Sequence, residues 1–569
     1  MRLIVPISLA LPVLVAACSG STPAGPPKLV EGPKLQALVG DAPPPNTRLA
    51  ISLAGPIPVN SDPQIESTHF HASVNVPGGF QTGGEALQLS GVYGTATVSF
   101  DGEVVGTVAA GPGPNEVDLA GRVAPGTHVV DIELSRKGTP VPMILGGDRH
   151  TTPMLVDPPV LLLRPAAHVT RFAVPLAAGM VTPTAFVAGA PEGATVRFLA
   201  TLDGEVVADL GKAPVVGGHA DAPAVAWTLP QWQMSAPVLY QMFTLLEAAD
   251  GTLLDAYGAR MAPREIALTD TAFDIGGIPT RLVGWRSGSR AFTPPDLGPL
   301  LRTGGNAFEF HGSPPTEHQL GIFDETGIAV VLTPRCEGTF SVVPDAERAP
   351  IVEQNLPLID DQSMRSAWDV ARHPSVVLWV SESMGLTALA ESIVRGDPEH
   401  RPVVNKDLRM ENVTLGRVTQ PAKYGGAWVG ETAWEGPLGS IDLTIEAFGQ
   451  ALREGVRGGI LEHQEDPERE AAWAPLLAEQ KIPPIQVNGR RGSSRVVVTG
   501  TKPGTPMWLE APWLPAEAAI STGSGIGLSS WYRGKVTVVV GDQRRPVDVV
   551  PQVWSELGLT GEVTKVSLQ

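Results

Sequence analysis

The periodicity of the apolar residues changes near residue 270 of this chain of 569 residues, and that change constrains the fold more than any other feature. Before it, apolar and polar residues alternate in short runs broken by Gly and Pro, as in TATVSFDGEVVGTVAA from Thr95 and HVVDIEL from His128. A period of two buries one face of a strand, and short runs between turn residues describe an antiparallel sandwich. Asp101-Gly102 falls between two such runs and predicts a hairpin turn. Residues 166–265 repeat the style in TVRFLATLDGEVVADL and VLYQMFTLLEAADGTLLDAYGAR, which predicts a second sandwich.

After residue 270, short apolar runs such as NAFEF, GIAVVLTP, SVVLWVSE and RPVVNKD alternate with segments of helical period. The clearest helix spans Ser440 to Arg457, where Ile441, Ile445, Phe448, Leu452 and Val456 form one apolar stripe. Ser440 can cap it and Gly458-Gly459 can end it. GAWVGETA precedes that helix and GGILEH follows it, so strand, helix and strand form a crossover unit. Repeated units between 271 and 480 fit either a doubly wound sheet or a (β/α)8 barrel. From residue 484, RVVVTGTKPG and KVTVVVGDQRRP return to the β pattern as a small C-terminal β-module.

Charge excludes one class of partner. The chain carries 41 Lys and Arg against 59 Asp and Glu, a net charge of −18. With no basic run to offset it, that excess repels a phosphate backbone, so nucleic acid is not an expected ligand. The string Gly523-Ser524-Gly525-Ile526-Gly527 runs towards VTVVV rather than a helix, and reads as a turn, not a phosphate cradle.

The chain opens MRLIVPISLALPVLVAAC, with Arg2, an apolar run and small residues before Cys18. This is a secretory signal layout, and its Val-Ala-Ala-Cys ending resembles a bacterial lipoprotein signal. The resemblance implies that residues 1–18 are the signal with a lipidated Cys18, that residues 19–44 are a tether, and that the protein is anchored in the bacterial cell envelope. No later segment of about 20 apolar residues exists, so anchoring rather than spanning is expected. After Cys18 only Cys336 remains, so no disulfide joins mature-chain cysteines, and Cys336 reads as a small buried hydrophobe.

The domain order and several strings together resemble glycoside hydrolase family 2, the group containing β-galactosidases, β-glucuronidases and β-mannosidases. GVYGTATVSFDGEVVGT with APGTHVVDIEL resembles the sugar-binding-like jelly roll. WQMSAPVLYQMFTLLEAADGTLLDAYGAR resembles the middle immunoglobulin-like domain, and FDIGGIPTRLVGW the barrel's opening strand. LLRTGGNAFEFHGSPPTEHQLGIFDETGIAVVL resembles the second strand, its helix and the third strand, with Asn306, Pro314, Asp324 and Gly327 at family positions. RHPSVVLWVSES resembles the approach to the fourth strand. The implied architecture is a jelly-roll β-sandwich over 45–165, an immunoglobulin-like β-sandwich over 166–265, a (β/α)8 TIM-type barrel over 266–480 and the C-terminal β-module over 484–569.

The resemblance implies a retaining glycosidase, which needs two carboxyl groups about 5–5.5 Å apart. It places the nucleophile at Glu431, at the end of the seventh strand. The family's acid/base Glu lies five residues after the Trp of the fourth strand, and counting from Trp379 reaches Met384. The proton donor then has to come from Glu382, two residues earlier, or from the run Glu462-His463-Gln464-Glu465-Asp466 at the end of the eighth strand. Two more family positions differ: Glu309 replaces an Arg and Gly312 replaces a His. Asn306, His311, Trp428, Trp434, Glu462 and His463 are the candidate sugar contacts, whereas Trp232 and Trp379 occupy family packing positions.

No cofactor is implied and no metal site is expected. His69 and His71 share one face of a strand, but the sequence offers no third ligand beside them, and zinc uses three or four. A serine hydrolase has no visible Gly-x-Ser-x-Gly elbow. Two functions stay open: a lipid-anchored β-glycosidase acting on an oligo- or polysaccharide, and a non-catalytic descendant that uses the scaffold for glycan binding or assembly.

Overall fold

The computed structural model describes residues 49–53, 67–76, 78, 82–109, 114–135, 153–155, 158–202, 205–268, 273–286, 305–310, 315, 317–332, 357, 360–361, 364–381, 393, 395–405, 415–416, 428–429, 458–462, 491–492, 494–500, 507–510, 520–522, 525–528, 534–540, 543–549, 552–553 and 563–568. The expected helix from Ser440 to Arg457, the N-terminal segment with Cys18, and Cys336 lie outside them.

Two four-stranded antiparallel sheets form the first sandwich. One orders the strands Leu49–Ser52, Val160–Leu163, Ala86–Leu89 and Asn115–Asp118; the other orders Ser67–Val76, Gly126–Ser135, Thr95–Phe100 and Glu103–Val108. Alternation sets the inner face: Ala96, Val98 and Phe100 are buried, and the intervening Thr95, Thr97 and Ser99 are not. Asp101 (φ 52°) and Gly102 (φ 83°) turn the hairpin in the left-handed region, as their sequence predicts. Asp101 accepts from the Val129 amide at 2.8 Å, which offsets the strain of its own positive φ.

The second sandwich sets Glu205–Pro214, Thr195–Leu202, Tyr240–Glu247 and Leu253–Met261 against the sheet His168–Ala173, Thr184–Ala188 and His219–Asp221. Val196, Phe198, Met242, Tyr257 and Val187 fill the space between them. Full burial of each such side chain contributes about 1.5–3 kcal/mol.

Eight strands between residues 282 and 462 form one parallel sheet: β1 (Leu282–Arg286), β2 (Ala307–Phe310), β3 (Ala329–Leu332), β4 (Val376–Ser381), β5 (Val403–Asn405), β6 (Leu415–Gly416), β7 (Trp428–Val429) and β8 (Gly458–Glu462). Their order across the sheet is β5-β4-β3-β2-β1-β8-β7-β6, so the last strand pairs with the first. Every residue of β2 and β3 is buried, as strands covered on both faces require. Gly284 is needed where β1 meets β2, because a Cβ there would collide with the Ala307 carbonyl. Helix α1 (Glu317–Thr326) covers β2, with Phe323 packed on Phe308 and Phe310 at ring separations of 5.4 and 5.5 Å. Gly327 (φ 73°) ends it in the left-handed conformation, its amide donating to the Phe323 carbonyl.

The C-terminal β-module is not a separate unit. Val496, Val498, Met507, Trp508, Val536, Val538 and Val566 belong to the same buried cluster as Leu49, Ile51, Val98 and Leu161 of the first sandwich. One sequence expectation is corrected here. Gly525-Ile526-Gly527 is not a turn but lies in the strand Gly525–Leu528, paired on both edges; the preceding strand ends at Thr522.

Candidate active site

A parallel sheet brings all its C-terminal strand ends to one edge, so residues far apart in sequence share a site there. Arg286 ends β1, Glu309 is the penultimate residue of β2, Ser381 ends β4, Asn405 ends β5, Val429 ends β7 and Glu462 ends β8. Of the sequence candidates, Trp428 and Glu462 therefore lie in β7 and β8. Glu382 follows β4 directly in sequence, Glu431 follows β7 by two residues, and His311 follows β2 directly. These three, with Trp434, His463 and Met384, lie outside the described residues.

Register joins three charged positions that sequence alone leaves apart. Arg286 pairs with Glu309 on one side and with Glu462 on the other. Glu309 is buried, 2% exposed. Phe308 and Phe310 face α1, so Glu309 lies on the opposite face of β2. The sequence reading missed Arg286, although its place directly after the apolar run of β1 was a visible signal.

Asn306 does not join this edge. It stands at the N-terminal end of β2, where its Oδ1 accepts from the Val283 amide at 2.8 Å and its Nδ2 donates to the Arg281 carbonyl at 2.8 Å. With both ends of its amide engaged by the backbone, Asn306 clamps β1 to β2 rather than meeting a sugar, which corrects its assignment as a substrate contact. Trp232 and Trp379 are likewise buried, donating to the Asp324 carbonyl and to Asp397 Oδ2, each at 2.9 Å.

The opposite, N-terminal edge of the sheet holds a buried charge network that joins the second sandwich to it. Helix α1 ends on Asp324 and Glu325 with no basic residue in its last turn, an arrangement its dipole disfavours. The compensating partners come from elsewhere: Arg260 pairs with Glu325, and His373 Nδ1 lies 2.7 Å from Asp324 Oδ2. Arg264 donates to the Val376 carbonyl and lies 3.2 Å from Glu399. Burial pushes the Arg264 guanidinium down to about 10 and the Glu399 carboxyl up, because in each case the charged form is the one that loses solvation. Burial also pushes Asp397 up, but the charge and hydrogen bonds of Arg401 and the Trp379 indole outweigh it and hold the carboxyl below its ordinary value. Arg171 adds a cation–π contact, its guanidinium 4.2 Å from the Phe186 ring and 5.1 Å from the Trp368 ring. These groups hold the second sandwich against the parallel sheet and do not belong to its C-terminal edge.

On the first sandwich, register sets His69 opposite Glu133 and His71 opposite Asp131, with His71 Nδ1 2.6 Å from Asp131 Oδ1. Among the described residues, no three such side chains converge on a point that could hold a metal ion. No described helix is long and apolar enough to cross a membrane.

No protein-family model and no curated protein matches the sequence. Solved structures do. A β-glucuronidase from an uncultured Clostridium superposes with a TM-score of 0.56 at 15% identity, over 74% of this chain and 90% of its own. A GH2 β-galacturonidase from Eisenbergiella tayi, solved with galacturonate bound, gives 0.57 at 16% identity over 73% and 90%. The β-glucuronidase of Bifidobacterium dentium, complexed with coumarin-3-O-glucuronide, gives 0.55 at 16% identity over 77% and 90%. At such identity the likeness establishes the fold, which is that of divergent GH2 glycosidases.

Proposed function

We propose that the protein is a lipid-anchored, carbohydrate-active protein of the retaining β-glycosidase type, with Glu431 as nucleophile. The observation that carries this reading is the strand order of the parallel sheet. Neighbours in the sheet are neighbours in sequence from β5 through β1, and β8 lies beside β1. That cyclic order supports a (β/α)8 barrel over a doubly wound sheet, in which the order reverses at an internal switch point. Structural likeness to enzymes that bind uronic acids supports a glycan as the ligand class.

In this mechanism Glu431 attacks the anomeric carbon while a carboxylic acid gives its proton to the departing oxygen; water then hydrolyses the glycosyl ester. Glu382, or a carboxylate of the run Glu462 to Asp466, supplies that proton. Cys18 carries the lipid, and the chain resides in the bacterial cell envelope. A 2-deoxy-2-fluoroglycosyl fluoride tests the chemistry: the Glu431 carboxylate displaces fluoride and keeps the sugar as a slowly hydrolysed ester. A glycosyl adduct on the peptide containing Glu431 is the expected result. An unlabelled, fully folded protein across gluco, galacto, manno and uronic probes overturns it.

Met384 and Glu309 favour a second reading, a glycan-binding protein without turnover, because they stand where the resembled family has its proton donor and an Arg. Hydrolysis of an oligosaccharide that disappears in Glu431→Gln eliminates that reading.

A further inference from the structure

His128, in the strand Gly126–Ser135 of the first sandwich, is buried and engages both of its ring nitrogens. Nδ1 lies 2.7 Å from Asp101 Oδ2 and Nε2 lies 2.7 Å from the Ala124 carbonyl, while the ring stacks on Phe100 with centroids 4.9 Å apart. A neutral imidazole carries one N–H and one bare nitrogen, so it donates at one end only. The Ala124 carbonyl only accepts, which requires a proton on Nε2. An ionised Asp101 likewise only accepts, which requires a second proton on Nδ1. The Asp101 carboxyl is held below its ordinary value of 3.8, first by the His128 hydrogen bond and then by the Val129 amide, so it is the ionised form that meets the ring.

From this geometry we infer that His128 is a proton-operated clasp: the doubly protonated ring ties the Asp101-Gly102 turn to the loop at Ala124, and loss of either proton turns a bare nitrogen towards an acceptor and releases one tie. The turn is already fixed to the strand by the Asp101 amide on the Val129 carbonyl and by the Val129 amide on Asp101 Oδ1, each at 2.8 Å. The ring adds the loop to that pair. The other ionisable groups around it are paired or face outward. Glu103, beyond the turn, meets Arg122 of the loop at 2.9 Å, and Asp118 accepts from the Ala120 amide. Asp131 and Glu133 stand at the outward positions of His128's own strand, and Asp131 is taken by His71. The neighbouring strand sets Val74 opposite His128 and has no ionisable residue after His71, and the segments 77–81 and 110–113 contain none. Folding therefore binds the proton that completes the clasp. Its stabilisation is present on the acid side, down to the pH at which Asp101 is itself protonated, and fades as the pH rises and the ring becomes neutral.

Isotope labelling of the histidine ring nitrogens in the full chain, read by NMR, tests the protonation, with the His128 signals assigned by their loss in His128→Gln. Both ring nitrogens are expected in the N–H range at near-neutral pH. Hydrogen exchange tests the clasp itself. After division by the intrinsic rates, protection of the amides in 99–104 and 122–129 is expected to fall about fivefold or more between about pH 5.5 and about pH 8.5, the scale of one hydrogen bond across the ordinary histidine range. In His128→Gln, whose amide donates from one end only, the fall stays within about twofold. Asp101→Asn removes the carboxylate and keeps a residue that tolerates the left-handed turn; it gives the same flat profile and serves if the first variant melts early. A bare ring nitrogen on His128 at near-neutral pH overturns the inference, and so does protection that falls equally in the parent and a folded variant.

Discussion

The indole of Trp232, in the loop of the second sandwich that precedes the strand Tyr240–Glu247, donates to the backbone carbonyl of Asp324 at 2.9 Å, and the side chains of both residues are buried. The same Asp324 accepts from the Ser375 amide at 3.0 Å and meets His373 at 2.7 Å, so one residue at the end of α1 ties the sandwich to the approach of β4. Trp232→Phe keeps most of the apolar bulk and removes the donor, leaving a buried carbonyl with one bond fewer. The expected loss is about 1–3 kcal/mol, read as a lower urea midpoint with an unchanged slope. A variant as stable as the parent shows that the indole bond does not couple the two domains.

Asp397 predicts an acid limb in the stability profile. Its carboxyl meets Arg401 Nε at 2.7 Å, with both side chains buried, and its pKa lies below 3.8 in the folded chain. The unfolded chain therefore binds that proton more readily, and the stabilisation present above pH 3.8 is lost as pH falls through the folded value. Asp397→Asn costs about 3–5 kcal/mol at neutral pH, because it leaves Arg401 buried without its countercharge. The difference between the parent and variant melting curves then shrinks on acidification below that range. Glu399, whose pKa is raised, works in the opposite sense in a window above 4.5, where acidification favours the folded state in both proteins. A difference that stays constant down to the acid transition contradicts the assignment of the limb to Asp397.

Much of the fold was legible because period-two patterns survive in single segments: the Asp101-Gly102 turn and the strands of NAFEF and SVVLWVSE all stand where the sequence sets them. What was illegible depends on pairing between distant segments. Nothing local in GWRSGSR announces that Arg286 stands between Glu309 and Glu462, because register is a property of three strands together. Asn306 shows the converse. Its family position was visible, but only its bonds to Val283 and Arg281 reveal a backbone clamp. The merger of the last module with the first sandwich was hidden for the same reason, since RVVVTGTKPG fits an independent sheet equally well.

That merger makes Trp508 a long-range test. Its ring is fully buried in the cluster that includes Ile51 and Leu161, more than 300 residues away in sequence. Trp508→Ala opens a cavity and is expected to cost about 3–5 kcal/mol. Hydrogen exchange then rises in the strands Leu49–Ser52 and Val160–Leu163 as well as in Met507–Glu510. Faster exchange confined to the C-terminal strands indicates two cores that unfold separately.

Met384 offers the sharpest test of the chemistry, because it occupies the sequence position, five residues after Trp379, at which the resembled family keeps its acid/base. General acid assistance matters in proportion to the basicity of the departing oxygen. A chain without a well-placed acid cleaves activated aryl glycosides, whose phenolate leaves unaided, while alkyl glycosides wait for a proton. Met384→Glu supplies that acid. The expected outcome is a rise of about 10²-fold or more in kcat/KM for alkyl glycosides, with a much smaller change for nitrophenyl substrates. The flattened dependence of rate on leaving-group pKa carries the meaning, since an effect on binding alone shifts both substrate classes together. Equal gains for both classes point to sugar binding, and an unchanged slope in a folded variant means that the proton reaches the leaving oxygen from another carboxyl, with Glu382 and Glu462 the next positions to replace.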